Sequence, residues 1–319
     1  MTTLVVGASG FVGRHLLRRL SDDRRDLRVA VHHNTAGITA GIDVVRGSLE
    51  PGFDWRPALT GCDAVVHLAA RVHVMSDDSG DPLAEYRRAN VDGTLSLARQ
   101  AAEVGVRRFV FLSSVKACGE ATPRGRPLTE DDPPAPQDPY GVSKSEAEAG
   151  LRSLAQAGGI EVAILRPPLV YGPGVRANFL AMMRWLQRGV PLPLASIDNR
   201  RSLVGSDNLV DLIAVCLDHP AAAGETFFAS DGDDLSTPDL LRRLAAALGT
   251  RARLLPAPAA LLIAAATVLG QSAAAQRLCS SLQVDIGKAR RLLGWTPPHS
   301  VDDQLARTAR WYLDRSPET

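Results

Sequence analysis

Apolar residues in this chain fall into short runs separated by stretches with helical spacing. Leu4–Val6, Val29–Val31, Ala64–Leu68, Phe109–Leu112 and Val162–Leu165 are almost wholly apolar. Runs without polar alternation predict strands buried on both faces. Between them Phe11–Leu20, Thr94–Glu103 and Ser143–Ala157 carry helical patterns, and Gly105 and Gly158–Gly159 stop two of them. Strand–helix alternation of this kind predicts an α/β fold with a doubly wound parallel sheet. After Pro173 the pattern changes. Ala177–Arg188 and Asn208–His219 read as helices and Thr226–Ala229 as a short strand. Ser236 and Ser300 each precede an acid three residues later, the signature of a capped helix start. The tail past Arg315 is expected to fray.

This change of pattern predicts a nucleotide-binding unit over 1–170 and a smaller C-terminal substrate-binding unit over 171–202 and 221–319. Residues 203–220 are expected to return to the first sheet. Residues 119–139 are rich in Pro, Asp and Glu and are read as an ordered rim. Leu254–Leu269 carries no charge over 16 residues, with Pro256 and Pro258 near its start. A span needs roughly 20 apolar residues, so an Ala-rich helix, buried or partly exposed, is expected in place of a span, with peripheral membrane contact left open.

Composition removes whole classes of function. The 319 residues include 36 Lys plus Arg against 35 Asp plus Glu, so no basic excess points to nucleic acid. Cys62, Cys118, Cys216 and Cys279 are scattered, which suits a reducing compartment and argues against disulfides or a metal site. The first strand begins at residue 2, so a cytoplasmic location is expected.

Two spacings carry chemistry. Gly7, Gly10 and Gly13 follow the first strand and open a helix. Glycines there let the backbone approach a pyrophosphate, whose charge the helix N-terminus faces. Tyr140 and Lys144 are four apart on a predicted helix and share a face. A phenol ionises near pH ~10, and a neighbouring ammonium lowers that value. The second strand ends Val31-His32-His33-Asn34 without the carboxylate usual for NAD, so both NAD(H) and NADP(H) stay open.

The motifs together resemble the extended short-chain dehydrogenase/reductases, in their sugar-nucleotide epimerase and dehydratase branch. The resemblance runs through Gly7–Gly13, His67–Ala70, Asn90–Thr94, Phe111–Ser114, Tyr140 with Lys144, and Arg166–Gly174. It implies a Rossmann domain and a catalytic set of Ser114, Tyr140 and Lys144, with Ser113 the alternative hydroxyl. It places the cofactor along Gly7, Gly10, Phe11, Val12, Gly13, His32, His33, Ser48, Leu49, Leu68, Ala69, Ala70, Ser113 and Pro167, with Tyr140 and Lys144. Related enzymes carry an Asp after a Gly near the third strand, where this chain reads Gly47-Ser48-Leu49. The substrate is expected at Ser114, Lys116, Tyr140, Asn178 and Arg201, with Arg201 and Asn178 on the diphosphate of a nucleotide sugar. Asn90 and His67 are expected to be structural. Val115-Lys116 stand where dehydratases of the branch carry acids, which argues against 4,6-dehydration.

A closer resemblance is to the UDP-glucose 4-epimerase-like enzymes of bacterial polysaccharide synthesis. Those include 4-ketoreductases of the UDP-N-acetylquinovosamine type and 4-epimerases of polyprenyl-diphosphate sugars. The resemblance therefore implies reversible hydride transfer at C4 of a UDP-N-acetyl-6-deoxyhexose, with 4-epimerisation under retained NAD as the alternative. It also implies a homodimer formed through Thr94–Glu103 and the Tyr140–Ala157 helix.

Overall fold

A computed structural model describes residues 1–32, 35, 38, 41–72, 81–268 and 272–315. Nine strands are described: β1 Thr2–Val6, β2 Asp26–Val31, β3 Asp43–Arg46, β4 Cys62–His67, β5 Arg108–Leu112, β6 Glu161–Arg166, β7 Leu169–Tyr171, β8 Leu203–Gly205 and β9 Thr226–Phe228. The helices on the first half are α1 Phe11–Asp22, α2 Arg56–Leu59, α3 Pro82–Tyr86, α4 Gly93–Glu103 and α5 Pro139–Gln156. Those on the second half are α6 Ala177–Gln187, α7 Ser206–Asp218, α8 Thr237–Ala247, α9 Ala259–Val268, α10 Ser272–Cys279, α11 Gly287–Leu293 and α12 Val301–Leu313.

Seven strands form one sheet in the order β3-β2-β1-β4-β5-β6-β9, and every neighbouring pair is parallel. The order reverses between β1 and β4, where Val6 pairs with His67. Crevices at such switch points are where doubly wound sheets bind ligands. The sheet carries apolar residues on both faces. Leu16, Val29, Val66, Leu209 and Ile213 pack on one side. Leu4, Trp55, Leu97, Phe109 and Leu151 pack on the other. A third core joins α6, α8 and α12 through Phe179, Met183, Leu244 and Leu305.

The predicted strands all form. The sequence reading placed Thr226–Phe228 in the second unit, yet β9 pairs with β6 and completes the large sheet. Leu169–Tyr171 and Leu203–Gly205, which showed no strand signal, form a two-stranded parallel sheet. Three residues are too few to display a period. Helix α5 starts at Pro139, four residues before the apolar pattern begins, because Asp138 caps it by accepting the Gly141 N–H at 2.6 Å and proline suits the first helical position. Ser300 and Asp303 form the expected capping box. Segment 119–139 is tied to 281–285 through Thr122, Gly125 and Leu128, which suits an ordered rim. His33, the 73–75 end of the HLAARVHVM stretch, Leu269 and the tail past Arg315 lie outside the described residues.

Candidate active site

The glycine turn is tight for a steric reason. Gly7 has φ +91°, and a Cβ on it would lie 2.6 Å from the Ala69 nitrogen. A Cβ on Gly13 would lie 2.3 Å from the Gly7 carbonyl oxygen. The turn therefore seats β1 and α1 against the end of β4, where the Leu68 and Ala69 N–H groups both donate to Val6. No side chain caps α1 and no acid stands in its first turn. Its opening N–H groups, at Phe11 and Val12, are free to meet an anion. This cradle fits the pyrophosphate of a dinucleotide. Leu68, Ala69 and Ala70 are partly exposed beside it. Farther along, His32 is exposed just after β2. The Ser48 hydroxyl accepts from the Glu50 N–H at 3.2 Å. The Leu49 carbonyl sits 2.2 Å from the place a Cβ on Gly93 would take, so only glycine lets α4 approach.

The cap at Asp138 puts Tyr140 in the first turn of α5, with its ring edge-on to Tyr86 at 6.2 Å between centroids. Lys144 follows one turn later. Its Nζ donates to the Leu112 carbonyl at 2.8 Å, and lies 4.4 Å over the Phe111 ring and 5.9 Å from the Tyr140 ring. The ammonium is thus near the phenol, but anchored to β5. Burial pushes the Lys144 pKa down to about 7, while Glu148 opposes that shift. Burial, then Asp138 and Tyr86, pushes the Tyr140 phenol above its ordinary value. The sequence reading expected a lowered phenol; here burial sets the direction, and it is upward.

Two adjacent serines have separate environments. The Ser113 hydroxyl donates to the Glu148 carboxylate at 2.6 Å and is buried. Glu148 also holds Arg166 in a two-pronged ion pair, with Nη2 at 2.6 Å. Ser113 is therefore committed to a structural network, and its side chain is withdrawn from the catalytic and cofactor roles expected for it. Ser114 starts the turn after β5, where its Oγ accepts the Lys116 N–H at 3.2 Å and keeps its own hydrogen. Pro167 accepts from the Val115 N–H at 2.9 Å and fixes this turn against β6. Asn90 bridges the backbone of Arg71 to Ser143. His67 lies against Thr94 at 2.9 Å, with burial and Lys144 lowering its pKa to about 3. Both fill the structural parts expected.

The polar rim has a pattern that the sequence reading missed. Lys116 pairs with Glu120 at 3.0 Å and with Asp138. Its ammonium is bound to carboxylates instead of standing ready for a substrate. Glu120 also attracts Arg201, so Lys116 and Arg201 border one acidic point. The Arg201 guanidinium donates to the Arg277 carbonyl at 2.7 Å and the Ser280 carbonyl at 3.0 Å. Burial and the Arg277 charge lower its pKa, as expected of a cation short of counter-charge. Asn178 is exposed at the start of α6, behind Ala177 at φ +50°. Glu148 was legible as the residue four beyond Lys144; Glu120 and Arg277 carried no motif.

Residues 3–228 match the NAD dependent epimerase/dehydratase family. The chain is 43% identical over 312 residues to the UDP-glucose 4-epimerase of Vibrio cholerae, covering 97% of this chain and 95% of that one. It is 28% identical over 324 residues to the N-acetyl-alpha-D-glucosaminyl-diphospho-ditrans,octacis-undecaprenol 4-epimerase of Escherichia coli O157:H7, covering 97% and 94%. MoeE5 in complex with UDP-glucuronic acid and NAD superposes at a TM-score of 0.79 and 26% identity, over 99% of this chain and all of that one. Of the two cofactors left open, NAD is the one the family uses. Glycine cradle, seven-stranded parallel sheet and sequence likeness agree: the chain belongs to the NAD dependent epimerase/dehydratase family.

Proposed function

We propose that this enzyme oxidises and re-reduces C4 of a UDP-hexose, acting as a 4-epimerase. The observation that carries the reading is the convergence of Ser114, Tyr140 and Lys144 at the ends of β5 and α5. The likeness over nearly the whole chain to a UDP-glucose 4-epimerase supports it. NAD would lie along Gly7–Gly13 and past Leu68–Ala70, where it would take up the C4 hydride and then return it.

Tyr140 moves the C4 hydroxyl proton as general base and then general acid. Ser114, whose hydroxyl hydrogen is uncommitted, holds the C4 oxygen. Lys144, whose Nζ lies 5.9 Å from the Tyr140 ring, adds positive charge there when protonated and so favours the phenolate. Arg201 and Asn178 hold the diphosphate, where a guanidinium suits phosphate oxygens. Lys116 holds both Glu120 and Asp138 in ion pairs near the sugar. That arrangement has no spare acid to expel water, which supports the reading against 4,6-dehydration. We place the enzyme in the cytoplasm, as a homodimer through α4 and α5. These helices meet closely, a Cβ on Gly150 falling 2.7 Å from Leu95.

One observation favours a second reading, 4-ketoreduction of a UDP-N-acetyl-6-deoxyhexose. The end of β2 offers no carboxylate to grip the adenosine ribose, which suits a cofactor that exchanges every turnover. Purified enzyme given UDP-glucose or UDP-N-acetylglucosamine without added reductant decides between them. Accumulation of the C4 epimer is expected. Absence of epimer, together with NADH loss at 340 nm on the 4-keto UDP-sugar, would replace the first reading with the second.

A further inference from the structure

Stretches 174–197 and 250–284 together hold six arginines and not one Asp or Glu. The rest of the chain has 30 basic against 35 acidic residues, so this is a local excess of positive charge. The fold brings the two stretches together. The Leu192 N–H donates to Arg253 at 2.9 Å, Leu255 to Leu192 at 2.8 Å and Ala195 to Leu255 at 3.0 Å. The Arg253 guanidinium lies 3.7 Å from where a Cβ on Gly189 would sit.

Large apolar side chains share that surface. Trp185 is 46% exposed, Leu255 53% and Leu261 65%. Helix α9, AALLIAAATV, has no polar face, and Ala260, Leu261 and Ala264 all lie open. Arg184, Arg188, Arg251 and Arg253 are exposed on the same two stretches, and no ion pair is seen for them among the described residues. Contiguous exposed apolar surface marks an interaction site. The arginines specify its chemistry, because a purely apolar protein partner would leave them facing no counter-charge.

We propose that the face formed by α9, segment 189–195 and the last turn of α6 docks this enzyme onto an anionic lipid bilayer. Tryptophan and leucine side chains enter the headgroup–acyl boundary while arginines reach up to lipid phosphates. The ten residues of α9 extend about 15 Å, half the roughly 30 Å hydrocarbon core, so the helix lies along the surface. Among the described residues no helix is long and apolar enough to cross a membrane. The sequence reading judged 16 apolar residues too short for a span and expected a buried or partly exposed helix; the exposure of Leu255 and Leu261 is what favours peripheral contact. The proposal stands on this surface alone and holds for either C4 reaction.

Flotation of the full chain with vesicles of phosphatidylcholine, or of phosphatidylcholine with 30% phosphatidylglycerol, tests it. The enzyme is expected to float with the anionic vesicles at low salt and to stay behind with the neutral ones. Replacing Arg184, Arg188, Arg251 and Arg253 by Gln should weaken binding about a hundredfold or more, and Leu261→Glu about tenfold. Both variants should keep their far-ultraviolet circular dichroism and their turnover on a soluble UDP-sugar. Equal flotation with both vesicle types, or unweakened binding of the fourfold variant, would overturn the proposal. So would sedimentation velocity in which Leu261→Glu dissociates a dimer, since the face would then belong to a second copy.

Discussion

Charge is handled in opposite ways at the two ends of this molecule. Under Tyr140, charged side chains are deeply buried and answered. Glu148 meets Arg166, Arg152 and the Ser113 hydroxyl, while Lys144 rests on the Leu112 carbonyl and the Phe111 ring. Around α9, exposed arginines border apolar side chains and no carboxylate stands in either stretch of sequence. Buried charge is tolerable only when paired and hydrogen-bonded; exposed charge needs no partner, because water supplies one. The first arrangement fixes geometry for proton transfer, and the second leaves potential directed outward.

The sharpest break in the comparison is Tyr140→Phe. It removes one hydroxyl and no packing, and is expected to lower kcat about a thousandfold, within the range for general acid–base groups. Binding of UDP, measured calorimetrically, should stay unchanged. Turnover near that of the wild type would remove Tyr140 from the chemistry.

Glu148→Gln comes next, and it acts on stability. It leaves the buried Arg166 cation without its carboxylate, at a cost of about 3–5 kcal/mol, read from urea unfolding. Replacing Glu148 and Arg166 together with Met should restore most of that loss, since an apolar pair can stand in for a buried ion pair. Failure of the double variant to recover would mean that the network does more than satisfy its own charges.

Lys144 makes a smaller, pH-dependent contribution. Its folded pKa is about 7 against an ordinary 10.5. Between those values the unfolded chain holds a proton that the folded chain has released. Stability attributable to Lys144 therefore rises with pH across that window, and the penalty of burying the ammonium is fully present below it. Relative to Lys144→Met, the wild type should gain roughly 2–3 kcal/mol between pH 7 and 9. Parallel curves for the two proteins would place the lysine in a wetter site than the structure gives it.

The serine pair transfers the comparison to neighbouring residues. Ser113→Ala removes a donor from Glu148 and should cost about 1–2 kcal/mol of stability with little change in kcat. Ser114→Ala should do the reverse, lowering kcat about a hundredfold while stability stays within ~0.5 kcal/mol. The opposite result would return the catalytic hydroxyl to Ser113.

Legibility followed the same division. The sheet, the glycine turn and the Tyr140–Lys144 pair were readable because each rests on a local spacing: unbroken apolar runs, three glycines, four residues on one helix face. Partners of those residues were not readable. Lys116 meets Asp138 22 residues on, and Arg201 finds the carbonyls of Arg277 and Ser280 about 80 residues away, so no spacing announces them. Ser113 and Ser114 looked alike in sequence, and only the buried carboxylate behind one of them separates the two. For Leu254–Leu269 the reading of a helix, buried or partly exposed, holds, but how much of it water reaches was not legible. Hydropathy reports what a segment would tolerate, while exposure depends on whether another helix covers it.

The smallest expected effect lies on the α9 face and completes the contrast. Changing Arg184, Arg188, Arg251 and Arg253 to Gln removes four full charges, against one in Glu148→Gln. Yet each is exposed, and surface substitutions away from networks change stability by no more than ~0.5 kcal/mol. The fourfold variant should therefore unfold in urea nearly as the wild type does, and turn over soluble UDP-sugar at the same rate. A loss as large as that of Glu148→Gln would show that these arginines hold the fold together, and would erase the difference between the two regions. Retained stability with lost response to anionic vesicles would locate their whole contribution outside the fold, in the field they present to a surface.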